Sequence, residues 1–406
     1  LNILLASFFE LPQIGGLWTY MFQLKRSLEQ LGHTVDIFAR SVNTQNYKLI
    51  NREAEIDKES LHRIIEPHVL RELSYSSPQT PLWILNQEVE RYKYEAAAVS
   101  FNLQNYDVIH AQDIISTYCF SRIKPKNIPL IATIHASLAF EWKHTTSFFS
   151  EKNPAFHRYA LLLEFLGASS SDKTIVPSYW LKNYLMHNFH VPSEKLVVIP
   201  NGIDIPHYFE QMLHVKKMDR SPHKIIFACV ARLTFEKGIS YLLNALAQLN
   251  TIRQDWDLWL IGDGPLKGEL QEQCKQLNIF NQVQFLGFRN DVPVLLQQAD
   301  IFLLSSIQET FCYSILEAQL AEVPVIAPRT GGITELVTHR KTGLLFESEN
   351  SEDLLANIKL LLSNKKLQRA IIEQAKQTAA TKFSSSLTTK KIVDIYYLCQ
   401  MLSPET

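Results

Sequence analysis

The chain has 406 residues, 46% hydrophobic and 20% charged, with a formal net charge of -1. This composition excludes a disordered chain and gives no bulk electrostatic attraction to nucleic acid. The length is too great for one core of ordinary size, so two domains are expected. The cysteines Cys119, Cys229, Cys274, Cys312 and Cys399 are odd in number and none forms a C-x-x-C pair, which argues against a disulfide framework or a zinc site and for a reducing cytosol. Residues 1–5 are apolar but lack the basic region and cleavage site of a signal peptide. No apolar run is long enough to span a bilayer. The expectation is a cytoplasmic protein whose only membrane contact would be peripheral, at the inner face.

In chain order, residues 2–8 read as a buried strand. Leu17, Met21, Leu24, Leu28 and Leu31 follow at spacings of four and three, one face of a helix that Gly32 terminates. Further strands are predicted at 34–39, 108–111, 130–135, 173–176 and 195–199. Residues 41–94 are polar, contain Pro67, Pro78 and Pro81, and read as helices plus a loop without firm boundaries. The stretch 208–222 is polar and reads as a hinge. A second series of strands follows at 224–231, 257–262, 283–287, 301–305, 323–327 and 343–346, with helices between them. A last helix is predicted at 386–401, after a polar break at 381–385. Strand–helix alternation argues for parallel sheets with right-handed crossovers.

The strongest chemical signal is Glu309-Thr-Phe-Cys-Tyr-Ser-Ile-Leu-Glu317. It follows a predicted strand and enters a helix, which places Glu309 in the loop at the strand's carboxyl end and Glu317 about two turns on. Ligands of open parallel sheets bind outside those ends, and the helix start between the two carboxylates favours an anion. One carboxylate can then accept bonds from sugar hydroxyls and the other from ribose hydroxyls. Arg232 and Lys237, in Ala231-Arg-Leu-Thr-Phe-Glu-Lys-Gly238, follow another strand and can neutralise a departing diphosphate. Each of these residues alone would be ordinary surface charge on a helix edge.

The ordered set resembles the retaining GT-B glycosyltransferases of family four. The resemblance is carried by Glu309-x7-Glu317, by the Arg232–Gly238 segment, by Gly15-Gly16 after the first strand and by Val198-Ile-Pro-Asn-Gly-Ile-Asp204. Ile261-Gly-Asp-Gly-Pro265, Leu286-Gly-Phe288 and Pro324-Val-Ile-Ala-Pro-Arg-Thr-Gly-Gly332 extend it in the same order. It implies an α/β fold of two Rossmann-like parallel-sheet domains facing each other across a cleft: an acceptor domain at 1–205, a nucleotide-sugar domain at 206–380, and a C-terminal helix at 381–406 packing back on the first. It implies a metal-independent hexosyltransferase without cofactor, moving a sugar from a UDP- or GDP-sugar to a glycan, lipid carrier or small molecule in bacterial glycan or glycolipid synthesis. Arg232 and Lys237 match the diphosphate-binding pair, Glu309 the carboxylate on the donor sugar, and Glu317 the one on ribose. Backbone at Phe311, Cys312 and Tyr313 would touch sugar and phosphate. Phe288 after Gly287 would lie along the base, and Gly16 would approach the phosphates and, with Gly15, the acceptor. His135 matches a histidine near the reacting sugar.

His135 also ends an apolar strand at the sheet edge where ligands of such folds gather, although a buried structural histidine is the commoner use. His110 and Asp113 end the preceding strand and are read either as shaping an acceptor pocket or as packing. Three departures from the family pattern bear on sugar and acceptor: Cys312 and Glu322 at usual glycines, and Leu17-Trp18 after the glycine pair. The competing readings are a nucleotide-sugar epimerase or a phosphorylase on the same scaffold, and a non-catalytic nucleotide-sugar-binding protein. A dinucleotide oxidoreductase is disfavoured because Gly15-Gly16 lacks the G-x-G-x-x-G spacing.

Overall fold

The computed structural model describes residues 1–12, 15–42, 45–52, 54–76, 80–145, 154–213 and 217–402. They form two units: Leu1–Pro200 with Thr388–Thr406, and Asn201–Leu387.

The first unit runs β1 (Asn2–Leu11), α1 (Gly16–Gln30), β2 (Thr34–Ser41), β3 (Asn46–Leu49), β4 (Ala54–Asp57), α2 (Lys58–Ser76), α3 (Leu82–Val99), β5 (Val108–Ala111), α4 (Ile114–Ile123), β6 (Leu130–Thr133), α5 (Leu138–Thr145), α6 (Pro154–Ser169), β7 (Lys173–Val176), α7 (Tyr179–Phe189) and β8 (Leu196–Val198). The sheet order is β4-β3-β2-β1-β5-β6-β7-β8. β3 and β4 are antiparallel additions at one edge, and the remaining pairs are parallel. β5 and β6 are buried throughout, as strands covered on both faces must be. Residues 41–94, unplaced by periodicity, supply the β3–β4 pair and the long helices α2 and α3; Pro78 lies outside the described residues. Tyr47 on β3 and Tyr94 on α3 are fully buried. Tyr94 packs its ring 4.8 Å from Phe38 and 6.1 Å from Phe120, so this segment completes an aromatic core. β6 stops at Thr133, leaving His135 in the loop beyond the strand rather than within it.

The second unit runs α8 (Ile205–Glu210), β9 (Ile225–Val230), α9 (Ile239–Asn250), β10 (Trp256–Ile261), α10 (Lys267–Gln276), β11 (Val283–Gly287), α11 (Val292–Leu296), β12 (Ile301–Leu303), α12 (Tyr313–Leu320), β13 (Val325–Pro328), α13 (Ile333–Leu336), β14 (Leu344–Phe346), α14 (Ser351–Ser363) and α15 (Lys365–Lys382). Its sheet, β11-β10-β9-β12-β13-β14, is parallel throughout. Trp256 and Trp259 on β10 are buried; truncating either to Ala would cost about 3–5 kcal/mol. Side-chain caps hold α8, α14 and α15 at Asp204, Asn350 and Asn364. The last helix, α16 (Ser385–Leu402), belongs to the first unit from Thr388 onward.

Two expected boundaries are corrected. The division falls after Pro200 and after Leu387 rather than at 205/206 and 380/381. The cause is a bridge between Ile203 and Ser384, with the Ile203 N–H donating to the Phe383 carbonyl at 2.8 Å. A Cβ on Gly202 would meet the Ser384 carbonyl carbon at 2.6 Å, so only glycine permits this approach. Of the stretch 208–222, residues 208–213 and 217–222 lie within the second unit, and 214–216 fall outside the described residues. Tyr208 is buried in the second unit and its hydroxyl donates to the Glu317 carbonyl at 2.7 Å.

Candidate active site

In the second unit the order of strands reverses between β9 and β12, the position where open α/β sheets hold ligands. Arg232 and Lys237 leave the carboxyl end of β9, and Glu309 leaves that of β12. The loops are fastened to one another. Leu233 N–H donates to the Asp263 carbonyl and Leu266 N–H to the Leu233 carbonyl, both at 3.0 Å, and Ile307 N–H donates to the Glu236 carbonyl at 2.8 Å. The Ser305 hydroxyl donates to the Lys237 carbonyl at 3.0 Å.

Within this frame Lys237 Nζ donates to Glu309 Oε1 at 2.6 Å, and Ser306 Oγ donates to the same oxygen at 2.9 Å. Burial opposes the charge on Lys237, but the Glu309 carboxylate prevails and holds the ammonium above its ordinary range. One carboxylate oxygen is thus occupied and fixed. Arg232 is more exposed; its Nη2 lies 3.4 Å from Glu236 Oε1, which also accepts from Thr234 Oγ1 at 2.7 Å. Glu317 lies half-buried in α12. Burial pushes its carboxyl up to about 7, and that carboxyl has no hydrogen-bond partner among the described residues. α12 begins at Tyr313, with Cys312 at the N-cap and no side-chain cap hydrogen bond from it; the positive end of a helix favours an anion.

Gly331 closes the frame from β13. Its φ is 52°, and a Cβ there would lie 1.9 Å from the Glu309 carbonyl oxygen. Gly332 N–H donates to that oxygen at 2.8 Å. Beyond β11, the Phe288 ring is about half exposed directly after Gly287. Cys312 is buried with Sγ 3.2 Å from Ser314 Oγ; burial and the Glu309 charge push its thiol up to about 12, which leaves no reactive thiolate.

In the first unit Gly15 precedes α1, whose start has no side-chain cap, and a Cβ on Gly15 would meet nothing within 4 Å. Gly16 opens the helix. His135 sits beyond β6 with its ring 4.5 Å from that of Tyr20 and Nε2 at 3.3 Å from Gln112 Oε1. Burial pushes its imidazole down to about 3, so it is neutral at pH 7. Of the two readings of His110 and Asp113, acceptor pocket or packing, their surroundings match packing. His110 is fully buried between Tyr396 and Thr133. Asp113 caps α4 through Ser116 N–H at 2.7 Å and accepts from Phe8 N–H at 2.8 Å and Ser7 Oγ at 3.0 Å. Their polar atoms are spent on the fold.

Sequence reasoning passed over Ser306, Glu236 and the structural use of Gly331 and Gly332. Ser306 carried no spacing signal. The glycine pair was visible, but its contact partner was not.

A fold of two parallel-sheet α/β units, one with an acid–base cluster at its topological switch point, defines a GT-B enzyme. The description "Glycosyl transferases group 1" matches residues 213–378 and "Glycosyltransferase Family 4" matches residues 14–206. The chain belongs to the group 1 glycosyltransferases and is a glycosyltransferase enzyme. It is 27% identical to the uncharacterised glycosyltransferase MJ1607 of Methanocaldococcus jannaschii over 94% of both chains. Sucrose-phosphate synthase from Thermosynechococcus elongatus superposes with a TM-score of 0.77 at 19% identity, covering 99% of this chain and 100% of that one. The Anabaena protein Alr3699/HepE, solved in complex with UDP-glucose, superposes with a TM-score of 0.68 at 21% identity, covering 97% and 99%. No helix among the described residues is long and apolar enough to cross a membrane.

Proposed function

We propose that the enzyme transfers a sugar from a UDP- or GDP-sugar to an acceptor hydroxyl with retention at the anomeric carbon, in glycan or glycolipid synthesis. The observation that carries this reading is the Lys237–Glu309 pair, 2.6 Å apart at the switch point of the second sheet. Glu309 Oε2 accepts bonds from the donor sugar while Oε1 stays anchored on Ser306 and Lys237. Lys237 and Arg232 neutralise the diphosphate, and their contribution grows as negative charge accumulates on the leaving oxygen. That charge compensation makes a metal ion unnecessary. The positive N-terminal end of α12 attracts the phosphate. Glu317 accepts from the ribose hydroxyls, and Phe288 lies along the base.

Acceptor binding falls to the first unit, through Gly15 and Gly16 at the start of α1. His135, neutral and outside the strand, accompanies the reacting sugar. The acceptor hydroxyl attacks from the face the nucleotide leaves, and the departing phosphate oxygen takes its proton. The Anabaena neighbour solved with UDP-glucose supports a uridine donor, at the level of a shared fold.

Thermal-shift screening against UDP- and GDP-sugars tests this, because a ligand that binds only the folded state raises apparent stability. Stabilisation by one donor series, followed by turnover with an acceptor panel, is the expected result. No stabilisation by any nucleotide sugar would remove the donor assignment.

A further inference from the structure

A buried polar chain in the first unit ties the C-terminal helix to His135. Tyr396 of α16 places its hydroxyl 2.6 Å from His110 Nδ1. His110 Nε2 lies 2.7 Å from Thr133 Oγ1, and that oxygen lies 3.4 Å from the Tyr20 hydroxyl. The Tyr20 ring packs edge-on against the His135 ring at 4.5 Å. A second arm starts at the His110 carbonyl, which accepts from Gln112 Nε2 at 3.3 Å. This turns Gln112 Oε1 toward His135 Nε2, 3.3 Å away. Both arms start at His110 and end at His135.

Proton counting makes the chain ordered. Burial pushes His110 down to about 3, so its ring is neutral and carries one N–H. One of its two hydroxyl partners must donate and the other accept. The Tyr396, His110 and Thr133 protons are therefore coupled: reversing the hydroxyl on one side of the ring reverses the tautomer and the hydroxyl on the other. On the other arm, Gln112 Oε1 can only accept, so His135 Nε2 carries the proton. Tyr396, His110, Thr133, Gln112 and Tyr20 are all buried, so water does not substitute for a missing member.

We infer that Tyr396 is a positioning residue: through His110, Thr133 and Tyr20 it sets the orientation of the His135 ring, so the C-terminal helix contributes to the site of the first unit. The functional consequence rests on the proposed placement of His135 beside the reacting sugar.

The test uses the full chain with 15N-labelled histidine, and reads the imidazole nitrogens of His110 and His135, assigned with His135→Asn. Tyr396→Phe and Thr133→Val should each shift the His135 signals, whereas Thr133→Ser, which keeps the hydroxyl, should restore them. Thermal melts confirm that each variant is folded. With UDP-glucose or GDP-mannose, whichever is turned over, kcat of Tyr396→Phe should fall on the order of tenfold with KM for the donor unchanged, the signature of misplacement without lost binding. His135 signals that stay in place in folded Tyr396→Phe overturn the inference, as do shifted signals with an unchanged kcat. If neither donor is turned over, the proposed transfer is what fails, and the imidazole spectra still decide the positioning role.

Discussion

Lys237 Nζ and Glu309 Oε1 lie 2.6 Å apart although the two residues, which follow β9 and β12, are 72 positions apart in the chain. The pair is a product of strand order: β12 is inserted beside β9, so two distant loops leave the same edge together. Replacing Lys237 with Ala removes a cation where leaving-group charge develops. Turnover should fall by about 10²–10³-fold, as for loss of one preorganised donor. The Ser306 hydroxyl still serves Glu309, so the stability cost should stay near 1–3 kcal/mol. Steady-state kinetics beside a thermal melt check this, and full activity in a folded variant would remove Lys237 from the mechanism.

Glu317 makes stability and donor binding depend on pH. Its carboxyl is raised from 4.5 to about 7 by burial. The folded state therefore binds more protons than the unfolded state between those values, and stability falls as pH rises through that window. Glu317→Gln should match the parent near pH 4 and exceed its stability at pH 8, by up to about 3 kcal/mol at about 1.4 kcal/mol per unit. Ribose hydroxyls donating to the carboxylate favour its ionised form, so UDP should bind the parent more tightly at pH 8 than at pH 6, by roughly tenfold. Calorimetric titration of parent and variant separates this from titration of the nucleotide. Identical pH dependence in both proteins would detach Glu317 from the ribose.

Much of this could be read from sequence because apolar runs and helical spacing report burial directly. The strands at 108–111, 173–176 and 283–287 match those observed residue for residue. The pairing of β3 with β4 was not legible, since both are short and only partly buried. His110 shows the limit of position-based reasoning. A histidine at a strand's carboxyl end looks like a ligand contact until Tyr396, 286 residues later, is seen to occupy it. Ser306 was hidden for the same reason: its value lies in one hydrogen bond to Glu309, and no spacing rule encodes it.

Gly331 is a second determinant of Glu309. With φ at 52° and a would-be Cβ 1.9 Å from the Glu309 carbonyl oxygen, Gly331→Ala is both strained and in collision with backbone. Destabilisation of about 2–4 kcal/mol is expected, with turnover reduced beyond what the folded fraction explains, because the Glu309 loop must move. Denaturant melts and kinetics at matched folded fraction measure the two parts. A variant as stable and as active as the parent would show that the loop has slack the structure does not reveal.

Cys312 stands where the family pattern has glycine, and its buried Sγ lies beside Ser314, with the Glu309 charge helping to hold the thiol protonated. Two outcomes follow from that placement. Alkylation by iodoacetamide at pH 7.5 should leave activity intact over the time a free surface thiol reacts, since the reactive form is the thiolate; rapid stoichiometric inactivation would mean that the site opens. Cys312→Gly should widen the space beside Glu309 by the volume of one thiomethyl group. Selectivity set by a group of that size is worth about 1–3 kcal/mol, or 10–200-fold. The ratio of kcat/KM between a preferred donor and its epimers or N-acetylated analogues should therefore shift by at least tenfold. A ratio unchanged within twofold, in a variant that remains folded, would show that the sugar does not contact this side chain, and the discrimination would then reside in the hydroxyl contacts of Glu309 alone.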